Sequence, residues 1–322
     1  MKASALLLLA AAALALFALS VLLPWADLAA LLRRDDALGW AIVRELRLPR
    51  AALALVYGAT LGASGAAVQA LFANPLASPD LTGTTSGAAL GAVVTAYLLA
   101  FTSPLALALG AVAGALIALL LLLALAGPRA ETATLLLAGL AISAMAGALT
   151  TLALALAPSP FAFYDAYEWL MGSLVDRSLA QAAFAALPGL AAIVLLVRLR
   201  GPLDSLALGE EVAQSFGHDI GRLRLRIVCL TAVGVGACVA ICGAIGFVGL
   251  VAPIFARRLT GGRPGQAIAP AALIGGALLL SADLATRLAP LGRILPIGVV
   301  TALLGAPFFL WLVLHMRWRL GR

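Results

Sequence analysis

The stretch PLALALGAVAGALIALLLLLALA (residues 104–126), the connection GPRAETA (127–133) and the stretch TLLLAGLAISAMAGALTTLALALA (134–157) hold two uncharged apolar runs set almost back to back. A helix needs ~20 mostly apolar residues to cross a bilayer core, and each run is long enough. Inside hydrocarbon the backbone polar groups must be paired within the segment, so such runs are helices. Working outward, with Pro, Gly and charge as punctuation, the same pattern recurs in roughly ten segments: 4–23, 51–72, 86–101, 104–126, 134–157, 179–197, 227–247, 248–260, 267–288 and 297–315. The seventh and eighth run together, and Gly243, Gly246, Gly249 and Pro253 predict a break there rather than one long straight helix.

Composition agrees. With 64% apolar and 11% charged residues and a mean hydropathy of +1.11, the chain does not solvate itself as an ordinary globular domain. The segments leave no room for a separate soluble unit, so residues 1–322 are expected to form one all-α membrane domain. The run from Ala5 to Leu23 is longer than the ~7–15 residues of a signal-peptide core and is expected to be retained as a span. The net charge of +7 comes from Arg gathered at span ends, which points to membrane topology rather than nucleic-acid binding. Cys229, Cys238 and Cys242 share one apolar stretch with no His or acid nearby and read as small buried side chains.

With a cytoplasmic amino terminus and an even number of spans, most of the 21 Lys and Arg fall inside, as the positive-inside rule asks. Five of the eight exceptions, Arg33, Arg34, Arg44, Arg47 and Arg50, crowd into one external loop and call for another explanation. The spacing of Gly58, Gly62 and Gly65, and of Gly110 and Gly114, predicts helix faces that pack closely. Ion-coupled carriers place ionisable groups in mid-span, yet here Asp165, Glu168 and Asp283 fall near external span ends, where water is expected to reach them. The two histidines, His218 and His315, form no nucleophile–base pair. The phosphate-cradling pattern is missing too, since Gly261-Gly262-Arg263-Pro264-Gly265 has no lysine.

Several stretches resemble the FecCD family of ABC-importer permeases, which serves ferric siderophores, haem and cobalamin. They are Leu46-Arg47-Leu48-Pro49-Arg50, then Ser64-Gly65-Ala66-Ala67-Val68-Gln69-Ala70-Leu71-Phe72-Ala73-Asn74-Pro75-Leu76-Ala77 with the Ser86-Gly87-Ala88 turn. Leu137-Ala138-Gly139, Trp169-Leu170-Met171-Gly172-Ser173 and Leu206-Ala207-Leu208-Gly209-Glu210 follow. Gly243-Ala244-Ile245-Gly246-Phe247-Val248-Gly249-Leu250-Val251-Ala252-Pro253 and Leu295-Pro296-Ile297-Gly298-Val299-Val300-Thr301-Ala302 with Gly305-Ala306-Pro307 complete the set. The match runs in order along nearly the whole chain. One departure is Ile254, where the family usually has His after the proline.

The resemblance implies a type II ABC-importer permease fold of about ten transmembrane helices in a bacterial inner membrane, with both termini cytoplasmic. It implies that Arg47, Arg50 and Arg287 dock glutamates of a periplasmic or lipid-anchored substrate-binding protein. Changing Arg47 and Arg50 to Glu is then expected to abolish uptake and leave the complex assembled. Asn74, Leu76 and Thr132 would form the cytoplasmic gate. A coupling loop at about 198–226, with Leu208, Gly209, Glu210, Glu211, Phe216 and Gly217, would fit an ATPase cleft. Val212 and Phe216 at helical spacing suit a short amphipathic helix with one side buried on a partner. The implied partners are a second permease subunit, identical or related, and two ABC ATPases. The chain itself would bind no cofactor and no metal and catalyse no reaction, ATP and Mg belonging to the ATPase. The expected cargo is a ferric siderophore or similar large metal chelate, with haem or cobalamin as alternatives. An ion-coupled secondary carrier, or an enzyme on a borrowed scaffold, is the reading from another class.

Overall fold

The computed structural model describes residues 3–101, 103–127, 132–157, 159–288 and 295–320, and within them every regular element is helical. Helix α1 (Ala3–Leu22) is followed by short α2 (Trp25–Arg34) and α3 (Asp36–Ile42), and then by α4 (Leu48–Leu71). Next come α5 (Thr84–Tyr97), α6 (Pro104–Ala126), α7 (Thr132–Ala155), α8 (Pro160–Leu170) and α9 (Leu179–Arg198). After the short α10 (Arg200–Leu206) and α11 (Glu210–Ser215) the chain continues into α12 (Ile220–Cys242), α13 (Val248–Leu259), α14 (Ile268–Leu288) and α15 (Ile297–Leu320). Among the described residues, seven helices are long and apolar enough to cross a membrane. Two segments expected as spans are shorter: α5 has 14 residues and α13 has 12, against the ~20 a full crossing takes.

The loop expected to carry the five external arginines is helical. It runs through a π-turn at Val43–Arg47 directly into α4. Pro49 supplies the reason: a proline in a continuous helix removes one N–H and crowds the carbonyl four residues back, and the wider turn ahead of it relieves both. The Ser86-Gly87-Ala88 stretch lies inside α5 rather than in a turn.

Helix α4 is the hub. In its apolar window 83% of residues are buried inside the protein, against 11% for α1, which the rest of the chain leaves largely uncovered. α4 packs along α14, with α9, α12 and α13 around it. The predicted small-residue faces make this possible. A Cβ on Gly62 would stand 2.0 Å from the Ala271 carbonyl oxygen, and one on Gly114 would stand 2.1 Å from that of Gly87. The first contact brings α4 onto α14, the second α6 onto α5, each at backbone distance.

The break expected near Gly243 separates α12 from α13, with Gly243 (φ 73°) and Phe247 (φ 65°) in left-handed geometry. Broken backbone at membrane depth survives only where its polar groups find partners. Tyr57, fully buried in α4, provides two of them: its hydroxyl donates to the Gly243 carbonyl (3.0 Å) and accepts from the Ile245 amide (3.3 Å). The Ser173 amide donates to the Cys242 carbonyl (2.8 Å). Cys238 and Cys242 are buried as free thiols on α12, and Cys229 is partly buried.

Candidate functional site

Three groups of expected site residues fall at the two ends of α4. At its amino-terminal end the structure brings Arg47, Arg50 and Arg287 together. Helices end with carbonyls that have no intrahelical donor, and Arg47 satisfies those of α1. Its Nη1 donates to the carbonyls of Val21 (3.3 Å), Leu22 (3.0 Å) and Leu23 (3.2 Å), and its Nη2 to that of Pro24 (3.5 Å). Arg287 reaches the same helix end, donating from Nη1 to the Ser20 carbonyl (2.8 Å) and from Nη2 to the Ser20 hydroxyl.

Between Arg50 and Arg287 sits Asp283. Arg50 Nε donates to its Oδ1 (2.8 Å), and Arg287 Nη2 pairs with its Oδ2 (2.9 Å). The side chain of Asp283 is only 1% exposed, those of Arg50 and Arg287 16% and 13%. Water therefore does not reach Asp283, contrary to the expectation from its place near a span end. Sequence reasoning missed it as a site residue. The available signal was its spacing from Arg287, four residues along one helix, which sets a carboxylate beside a guanidinium. These pairs also change what charge reversal at Arg50 does, because a Glu there would face Asp283. Breaking a buried pair costs ~3–5 kcal/mol, so loss of assembly is expected along with loss of uptake. Arg33, Arg34 and Arg44 remain exposed.

At the carboxyl-terminal end of α4, Asn74 folds the chain back on itself. Its Oδ1 accepts from the Leu76 amide (2.9 Å) and its carbonyl from the Ala77 amide (3.1 Å), the side-chain-closed turn that Asn before Pro favours. The segment continues into a 3-10 turn at Pro79–Thr82 that leans on α7, where Ser143 Oγ donates to the Asp80 carbonyl (3.1 Å). Burial pushes the Asp80 carboxyl above its usual range, with the hydroxyls of Thr85 and Ser78 opposing the shift. Thr132 opens α7, but its side chain lies outside the described residues, as do those of Asp165, Glu168 and His315.

The third group is at the same end. The loop expected at 198–226 folds into α10 and α11, rooted by fully buried Leu203 and Ala213. Gly209 (φ 111°) and Gly217 (φ 81°) bracket α11 in backbone that favours glycine. Glu210 pairs with Arg224, and Glu211 stays exposed. Asp204 Oδ1 accepts from the Gly265 amide (2.8 Å), and a Cβ on Gly265 would lie 2.0 Å from the Arg200 carbonyl oxygen. α10 is thereby fixed to the 3-10 turn at Gly265–Ala267 that leads into α14. Leu208 (67% exposed) and Phe216 (64%) stand out among charged neighbours, outside the candidate spans.

Among the described residues no group of His, Cys, Asp and Glu is arranged to hold a metal ion.

Residues 7–315 match the model of the FecCD transport family. The chain is 36% identical to the Fe(3+)-citrate import system permease protein YfmE of Bacillus subtilis over 274 residues, 84% of this chain and 81% of that one. It is 42% identical to the vitamin B12 import system permease protein BtuC of Vibrio cholerae over 277 residues, 85% and 83% of the two chains. A solved structure described as an inward-facing conformation of a metal-chelate type ABC transporter superposes with a TM-score of 0.86 at 28% identity, covering 97% of this chain and 99% of that one. PsaBC from Streptococcus pneumoniae, at 19% identity, shares the fold with a TM-score of 0.58 over 88% and 94% of the two chains. Glycine-packed helices, a broken α12–α13 pair and a family match across almost every residue converge: this chain belongs to the FecCD transport family, the membrane-spanning permeases of ABC importers.

Proposed function

We propose that the chain carries a large metal chelate, a ferric siderophore in the first instance, inward across a bacterial inner membrane by alternating access in a dimer of permease subunits. The amino-terminal end of α4 faces outward and receives a substrate-binding protein through Arg47, Arg50 and Arg287. The opposite end faces the cytoplasm, with both termini, the Asn74–Leu76 turn and Thr132 acting as a gate, and α10–α11 seated in an ATPase that supplies ATP hydrolysis with Mg. The single domain spans residues 1–322. The observation that supports this most directly is the pair Leu208 and Phe216, held out from a polar, non-spanning segment by a buried root. Exposed large apolar side chains in such a place fit a protein partner. ATP can move the gate only if the outward and inward states differ in affinity for the ATP-closed ATPase.

A cobalamin cargo is the second reading, favoured by the 42% identity to a vitamin B12 permease. Proteoliposomes holding the permease with its ATPase and binding protein, given radiolabelled ferric siderophore or cobalamin, separate the two. ATP-dependent accumulation of the ferric siderophore supports the first reading, and accumulation of cobalamin alone replaces it. Uptake without ATPase or ATP would make the chain a secondary carrier.

A further inference from the structure

Arg33, Arg34 and Arg44 take no part in the sites described above, and they stand on a segment whose main packing is on itself. Helices α2 and α3 form a hairpin: Leu28 is buried, and a Cβ on Gly39 would lie 2.6 Å from Leu32 Cδ2. Outside that seam Trp25 is 56% exposed and Trp40 60%, and Leu38 and Leu46 are exposed as well. The depth of the hairpin is set at its base. Arg47 donates to the carbonyls of Leu22, Leu23 and Pro24, so the last turn of α1 and the first turn of α4 lie at one level. Trp25 follows that clamp directly.

Beyond its ~30 Å core a bilayer has a headgroup layer ~5–8 Å deep on each side. Trp40 precedes Arg47 by ~10 Å along a helix axis, so an upright hairpin would lift it through that layer into water. Trp is most stable within the layer, its ring toward the acyl chains and its N–H among the headgroups, and a leaning hairpin keeps both rings there. The charges fit the same placement. Asp35 is taken up in capping α3, its Oδ1 accepting from the Leu38 amide (3.0 Å), and Arg44 reaches Glu45 only at 3.8 Å. Arg33 and Arg34, in the last turn of α2, pair with no acid among the described residues. A guanidinium binds phosphate oxygens through parallel N–H groups, and a phospholipid surface presents phosphates at this depth.

We infer that the α2–α3 hairpin is an interfacial anchor: it leans into the headgroup layer, with Trp25 and Trp40 at the acyl boundary and Arg33, Arg34 and Arg44 on lipid phosphates. The choice of the outer leaflet rests on the orientation proposed above; the anchoring itself does not.

The test reads tryptophan fluorescence of the permease in phosphatidylcholine nanodiscs whose acyl chains carry bromine either just below the glycerol or near the bilayer centre. Trp25→Phe and Trp40→Phe each remove one exposed ring, and the difference from the unaltered protein isolates its emission. That emission should fall about threefold with shallow bromine and hardly at all with deep bromine. Changing Arg33, Arg34 and Arg44 together to Gln should leave the fold intact, because all three are exposed, and should cut the shallow quenching at Trp40 by about half. Bromine stands in both leaflets and no transport is measured, so failure of the proposed orientation or cargo leaves the result untouched. Quenching of Trp40 by aqueous iodide and by neither bromine would stand the hairpin in water and overturn the inference. Stronger quenching by deep bromine would overturn it too, by placing the rings in the core. Shielding of Trp40 from iodide only after the substrate-binding protein is added would make this a protein contact and overturn the lipid assignment. Shallow quenching unmoved by the triple change would overturn the phosphate contact.

Discussion

Tyr57 is enclosed completely in α4, and its hydroxyl is both donor and acceptor to the unwound backbone between α12 and α13. Replacing it with Phe keeps the ring and leaves a carbonyl and an amide unpaired in an apolar setting, at ~1–3 kcal/mol. The Tyr57→Phe protein should therefore insert and assemble but melt earlier, which thermal unfolding in detergent checks. Asp80 gives a pH dependence whose sign follows from its raised carboxyl. A raised pKa in the folded state stabilises below the ordinary carboxylate range and loses that contribution as pH climbs through the raised value. Melting temperature should fall as pH rises from about 4, and Asp80→Asn should flatten that slope. A wild-type slope unchanged by the substitution would assign it to other groups.

Among the helices, contact between α4 and α14 depends on the absence of side chains at single positions. A Val at Gly62 would push against the Ala271 carbonyl, 2.0 Å from where its Cβ must go. Backbone on backbone has no flexible end to yield, and overpacking typically costs ~1–3 kcal/mol or more. Gly62→Val should lower the yield of folded protein severalfold in membrane extracts. Gly147→Ala in α7, where a Cβ meets nothing within 4 Å, should leave that yield unchanged. These faces were legible in the sequence because four-residue spacing of small residues has one geometric meaning on a helix. The break at Gly243 was legible for a similar reason, since glycines and Pro253 crowd one apolar run. The Arg50–Asp283 pair was not. Its members are 233 residues apart, and no local pattern reports that α4 and α14 lie side by side. The helical course of residues 25–47 was hidden as well, because charge and Trp at a span end suit a solvated loop and an amphipathic helix equally.

Across the whole molecule, α14 joins the two proposed sites. The turn that leads into it is fixed to α10 through Gly265 and Asp204, and its last two turns carry Asp283 and Arg287. With α4 packed along it, the pair forms a strut from the proposed docking face to the proposed ATPase seat. Leu208→Ser with Phe216→Ser should leave the permease folded, because both side chains are already exposed. Co-purification of the ATPase should fall by about tenfold, equivalent to ~1.4 kcal/mol of lost contact. Retention of the ATPase at wild-type levels would move the seat elsewhere.

The bond from Arg287 to Ser20 spans 267 residues and bears on how the protein is made. Helix α1 leaves the ribosome well before α14, with little of its surface covered by the rest of the chain, and the side chain that clamps its last turn is made 267 residues after Ser20. Arg50 likewise enters the bilayer long before Asp283 exists to pair with it. Until α14 arrives, the first helix stays loosely held and the fourth carries an unmatched charge. Closure of the amino-terminal end of α4 thus waits for α14, which follows every helix from α5 to α13 in the chain.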